Sequence, residues 1–107
     1  TFFDALASEL LGYVDMIAER ATALGGVTEG TIRKAATAST IPQSPDTFDN
    51  CEFTVKKVTA NYEALSVSTR RCIEISEKLG DAATADLFTE ITRGIDKALY
   101  MLDAHLN

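Results

Sequence analysis

Residues 1–26 read TFFDALASELLGYVDMIAERATALGG. Hydrophobic residues recur in this stretch at intervals of three and four, which places them on one face of an α-helix; they are Phe2, Phe3, Leu6, Leu10, Tyr13, Val14, Ile17 and Leu24. The pair Gly25-Gly26 predicts a left-handed cap at the end of this helix. The first residues offer no convincing N-cap, and the hydrophobic pattern already runs at Phe2. We therefore expect the helix to extend upstream of Thr1.

A segment of small and turn-forming residues, without a regular hydrophobic pattern, separates this helix from the next long one. Gly, Thr, Ala, Ser and Pro dominate residues 27–44, with a short helix predicted over Ile32–Thr37. Either Asp46 or Asp49 could cap the helix that follows, because a short acidic side chain accepts hydrogen bonds from exposed amides. A link of roughly 18 residues is too long for a hairpin between neighbouring helices and suits a crossover in a helical bundle.

Two further long helices complete the pattern. The third segment predicts a bundle helix of roughly 30 residues that ends at Gly80; its seam is Val55, Val58, Tyr62, Leu65, Thr69, Cys72, Ser76 and Leu79. The fourth segment has Asp81 as its predicted cap and places on one face Leu87, Ile91, Ile95, Leu99, Leu102 and Leu106. No strand pattern is present. We expect an all-α four-helix bundle whose first helix lies upstream of this chain and whose long crossover contains the short helix.

Composition narrows the class of protein. The 107 residues suit one domain, residues 1–107, and the 10 Lys and Arg against 16 Asp and Glu give a formal charge of −6. This charge argues against direct nucleic-acid binding and favours cations as partners. Neither a signal peptide nor an apolar run long enough to cross a bilayer is evident, so we expect a soluble, intracellular protein.

The two cysteines, Cys51 and Cys72, fall on the third predicted helix. Their separation of 72 − 51 = 21 residues corresponds to roughly 31 Å along a helix, far beyond the roughly 7 Å that a disulfide allows between α-carbons. We expect free thiols in a reducing compartment.

Three carboxylates share a stripe on the first helix. The spacings between Asp4, Asp15 and Glu19 are 11 and 4 residues, which at about 100° per residue leave them about 20° and 40° from alignment. Oxygen ligands on a bundle helix suit cations such as ferrous iron. Acidic residues at helical spacing are more often a solvated face, and periodicity alone leaves both interpretations open.

Two groups of motifs carry a family resemblance. The first is YVDMIAER at 13–20, followed by LGGV at 24–27 and Gly30-Thr31. The second is LGD at 79–81, TADLFTEI at 84–91, Asp96-Lys97 and LDAHL at 102–106. In this order they resemble the second helix, the following turn and the last helix of the Dps family, the mini-ferritins of the ferritin-like superfamily. The resemblance covers nearly the whole chain.

The resemblance implies an iron site that two subunits share across a two-fold interface. The family pattern on this helix is a histidine, an aspartate four residues later, an aspartate eleven after that and a glutamate four further. Asp4, Asp15 and Glu19 fill the last three places and are the implied metal ligands. The histidine falls one residue before Thr1, and another belongs on the missing helix. We therefore expect residues 1–107 to bind iron but to have impaired ferroxidase activity.

The implied function is a ferroxidase and iron-storage subunit. Family members oxidise ferrous iron, preferably with hydrogen peroxide, and store ferric mineral in a hollow homododecamer in the cytoplasm, which limits oxidative stress. Asp81, Asp86 and Glu90 resemble the residues that line three-fold pores through which cations pass inward. A different role is possible for each aspartate. Asp81 suits the N-cap of the fourth helix, and Asp86 suits the first turn of that helix, where a negative charge is favourable whether or not a pore exists.

Two further possibilities remain open from the sequence. DNA binding, known for some Dps proteins, would need segments outside this chain or a cation bridge between the acidic shell and phosphate. A different class of function is a non-catalytic interaction module that binds a partner helix in the groove left by the missing helix. His105, the single histidine, does not match a family iron ligand.

Overall fold

The computed structural model describes residues 1–42 and 50–106. Within these ranges the protein forms four helices and no strand: α1 (Phe2–Ala23), α2 (Ile32–Ala38), α3 (Cys51–Lys78) and α4 (Ala82–Leu106). The chain divides into two compact units, one containing α1 and α2 and the other containing α3 and α4. The predicted all-α class, with a short helix in the crossover, is confirmed.

The start of α1 differs from the expectation that it lacks a cap. The hydroxyl of Thr1 accepts a hydrogen bond from the backbone N–H of Asp4 at 3.2 Å. In return, the Asp4 carboxylate accepts from the backbone nitrogen of Thr1 at 3.3 Å. These reciprocal bonds form a capping box, which satisfies amides that have no partner within the helix.

Glycines end both long helices that precede a turn. Gly25 has φ +89° and Gly80 has φ +74°, in the left-handed region where a side chain is disfavoured. Their amides donate back to carbonyls of the last turn, Gly25 to Thr22 at 3.0 Å and Gly80 to Glu77 at 3.0 Å. The predicted left-handed cap at Gly25 and the predicted end of α3 at Gly80 are confirmed.

Short polar side chains begin the other helices. Thr31 caps α2 by accepting from the amide of Lys34 at 3.1 Å. Asn50 caps α3, with its side-chain oxygen accepting from the amide of Phe53 at 2.7 Å. The predicted cap was Asp46 or Asp49, and both lie outside the described residues.

The second unit is a helical hairpin in which α3 packs against α4. Among the described residues, its buried hydrophobic side chains are Val55 and Tyr62 from α3 together with Ala85, Ile91, Ile95, Ala98 and Leu102 from α4. Thr69 and Thr92 are buried within the same hairpin, where the Thr92 hydroxyl donates to the Thr69 hydroxyl at 2.9 Å. Thr69, a polar position of the predicted α3 seam, is therefore part of the interface between α3 and α4.

None of the helices in the described ranges is both long enough and apolar enough to cross a membrane.

Candidate metal centre

The backbone of α1 places the three predicted ligands in one row. The helix runs without interruption from Phe2 to Ala23, so Asp4, Asp15 and Glu19 keep the angular spacing of an α-helix. All three side chains are exposed. The predicted acidic stripe is thus present on the surface of α1.

Distances along the helix axis divide this stripe into two parts. Asp15 and Glu19 are one turn apart, about 6 Å along the axis. Asp4 lies 15 − 4 = 11 residues before Asp15, which is roughly 16 Å. In one copy of the chain, therefore, Asp4 cannot bind the same ion as Asp15. Across residues 1–42 and 50–106, no three His, Cys, Asp or Glu side chains come close enough to hold a metal ion.

Asp4 also has a structural role. Its carboxylate lies 3.3 Å from the terminal ammonium of Thr1 and completes the capping box of α1. The sequence contained a signal for this role, since a hydroxyl residue followed three positions later by an acidic one is the pattern of such a box. Asp4 thus combines a predicted metal role with an observed helix-capping role.

Two exposed hydrophobic side chains lie within and next to the acidic stripe. Leu11 is 67% exposed and Val14 is 60% exposed. Leu11 stands four residues before Asp15 and seven after Asp4, so the three positions share nearly the same direction from the helix axis. This surface of α1 therefore carries both carboxylates and exposed hydrocarbon.

The second predicted acidic set lies on and just before α4. Asp81 is partly buried, and its carboxylate accepts from the backbone N–H of Thr84 at 3.0 Å and from the Thr84 hydroxyl at 2.6 Å. The predicted capping role of Asp81 is confirmed. Asp86 and Glu90 are exposed and one turn apart on α4. The chain therefore presents two of the three carboxylates freely to solvent at this end of the helix.

One histidine and two cysteines of the chain are also of residue types that can bind a metal ion. Nδ1 of His105 donates to the carbonyl oxygen of Met101 at 2.8 Å, near the C-terminal end of α4. Cys51 is an exposed free thiol and Cys72 is a half-buried one. Within the described residues, none of these three side chains belongs to a group of three or more His, Cys, Asp or Glu that could hold a metal ion.

Comparisons with known proteins bear on both fold and family. The sequence model of the ferritin-like domain matches residues 1–107. The protein named "DNA protection during starvation protein 2" of Bacillus anthracis is 31% identical over 105 residues, which cover 98% of this chain and 71% of that protein. The chain belongs to the Dps family.

Other Dps proteins support the same assignment. The DNA protection during starvation protein of Agrobacterium fabrum is 29% identical over 103 residues, covering 96% of this chain and 64% of that protein. The crystal structure of Dps from Staphylococcus aureus superposes with a TM-score of 0.91 at 28% identity, covering 98% of this chain and 70% of that one. The ferritin-like Dps fold predicted from sequence is confirmed, and the chain spans about two thirds of the length of these Dps relatives.

Proposed function

We propose that this chain is a subunit of an iron-storing Dps shell that oxidises ferrous iron, preferably with hydrogen peroxide, and retains the ferric product as mineral. One observation carries the proposal: a chain of the Dps family has Asp4, Asp15 and Glu19 on one exposed stripe of α1. Carboxylate oxygens are ligands that ferrous and ferric iron accept. Iron is the substrate in this proposal, and it leaves the site as stored product.

Because Asp4 and Asp15 lie roughly 16 Å apart along α1, a site that contains both an Asp4 and an Asp15 carboxylate needs two copies of the chain. In a two-fold interface, residue i of one copy contacts residue j of the other, and the reverse contact forms as well. If two α1 helices run antiparallel about an axis midway between positions 4 and 15, Asp4 of one copy lies opposite Asp15 of the other, and Glu19 of that other copy lies one turn farther along the helix. Each chain then contributes to two equivalent sites.

The hydrophobic surface beside the stripe supports this pairing. A second α1 helix in that position would remove Leu11 from water. Burial of a leucine side chain contributes about 1.5–3 kcal/mol. Packing of the second helix would also lower the local dielectric constant around the carboxylates, which strengthens their attraction for a divalent cation.

The redox step balances without any further cofactor. Two ferrous ions each lose one electron, and one hydrogen peroxide molecule accepts both electrons and two protons, so that its O–O bond breaks and two waters form. Transfer of both electrons to one hydrogen peroxide molecule avoids release of hydroxyl radical.

The residues assigned here are carboxylates alone, because the family's histidine on this helix corresponds to the position before Thr1. Imidazole donors help to fix the geometry of iron, so we propose slow turnover for residues 1–107 by themselves.

Asp81, Asp86 and Glu90 are proposed to line the pores of the shell. Three-fold symmetry would triple each carboxylate and create a negative potential that attracts ferrous ions. Asp86 and Glu90 are the stronger candidates, because the Asp81 carboxylate is occupied by Thr84.

DNA protection, the role in the names of the relatives, is proposed here only through a cation bridge or through segments beyond residues 1–107. The formal charge of −6 disfavours direct contact with phosphate.

We propose a dodecamer by analogy with the family. The cytoplasm is the proposed compartment, because both cysteines are free thiols.

An anaerobic titration with ferrous iron tests the proposal. The double variant Asp15→Asn/Glu19→Gln should weaken ferrous binding by at least about tenfold, because it removes the charge of two ligands. The control variant Glu63→Gln/Glu74→Gln removes the same charge from exposed positions of α3 and should bind like the parent.

The alternative, a module that binds a partner helix in an open groove, makes the opposite prediction. Such a module would be indifferent to ferrous iron, and neither double variant would change its binding to a helix. Equal titrations of the parent, the stripe variant and the α3 control would therefore exclude the iron site and favour the interaction module.

A further inference from the structure

We draw no further inference here: the strongest candidate, the surface at the start of α2, where the apolar side chains Val27 and Ile32 are each 89% exposed, carries none because nothing in the structure shows what covers it.

Discussion

The buried hydroxyl of Thr92 on α4 donates a hydrogen bond to the hydroxyl of Thr69 on α3 at 2.9 Å. Thr69 in turn donates to the carbonyl oxygen of Ser66 at 3.2 Å. This chain of bonds fixes the register between the two helices at a point where hydrocarbon alone would allow them to slide. A net hydrogen bond of this kind contributes about 1 kcal/mol to stability.

Replacing Thr92 by valine should lower the free energy of unfolding by about 1 kcal/mol, because valine keeps the shape of threonine and removes the hydroxyl that bonds to Thr69 on α3 and to the Phe88 carbonyl of α4. Urea denaturation followed by circular dichroism measures this change. Thr89→Val is the matched control, since among the described residues the Thr89 hydroxyl bonds only to the Ala85 carbonyl of its own helix, at 2.7 Å. Equal losses in the two variants would show that the contact between α3 and α4 adds nothing.

Two glycines should respond to alanine in opposite directions. At Gly80, φ is +74° and no atom lies within 4 Å of an added Cβ, so the cost of Gly80→Ala is backbone strain of about 1–2 kcal/mol. Gly12 lies inside α1 and also has open space around it. There, Gly12→Ala should add about 0.5–1 kcal/mol of stability. Thermal unfolding midpoints of the two variants, compared with the parent, test both signs; a stabilised Gly80→Ala would contradict the assigned turn.

Self-association should depend on the hydrophobic surface beside the acidic stripe. Leu11→Asn places an amide where the proposed second copy buries a leucine, and should weaken association by at least about tenfold, which corresponds to 1.4 kcal/mol. Sedimentation equilibrium at several protein concentrations gives the association constant.

Val67→Asn is the control for this substitution. Val67 is 70% exposed on α3, close to the 67% of Leu11, and lies away from α1 in sequence. It should leave the association of α1 surfaces unchanged. If Leu11→Asn associates as strongly as the parent, the proposed pairing of α1 helices is wrong.

The helix ends show what the sequence could and could not predict. Gly25 and Gly80 were predictable because a left-handed residue at a helix end strongly favours glycine. The cap of α3 was harder, since Asn50 has several short polar neighbours and each can accept an amide hydrogen bond. At Thr1, the hydrophobic pattern that begins at Phe2 led to the expectation of no cap. The spacing of three residues between Thr1 and Asp4 is nevertheless the pattern of a capping box.

The sequence pattern predicts which face of each helix is hydrophobic, but it does not predict which positions on that face are buried. Leu79 continues the apolar spacing of α3 and yet is 78% exposed, because it is the cap residue where the helix already ends. Val14 belongs to the predicted hydrophobic face of α1 and is exposed in the single chain. Periodicity identifies apolar faces, whereas burial depends on which other surface packs there.

The acidic stripe was predictable from spacing, because the helix that carries it is continuous. Its division into two parts follows from the rise per residue, which separates Asp4 from Asp15 by roughly 16 Å. The metal role of these residues stays a prediction, since it depends on a second copy of the chain and on iron.

Addition of hydrogen peroxide to the protein loaded anaerobically with ferrous iron tests the proposed iron-oxidising site most directly. Ferric absorbance is followed over time, and the iron that stays dissolved with the protein after centrifugation is measured. The parent and the Glu63→Gln/Glu74→Gln control should oxidise iron faster than a protein-free solution and keep the ferric product dissolved, whereas Asp15→Asn/Glu19→Gln should do neither. Oxidation by the parent at the protein-free rate, with the ferric product precipitating, would contradict the proposed iron-oxidising site.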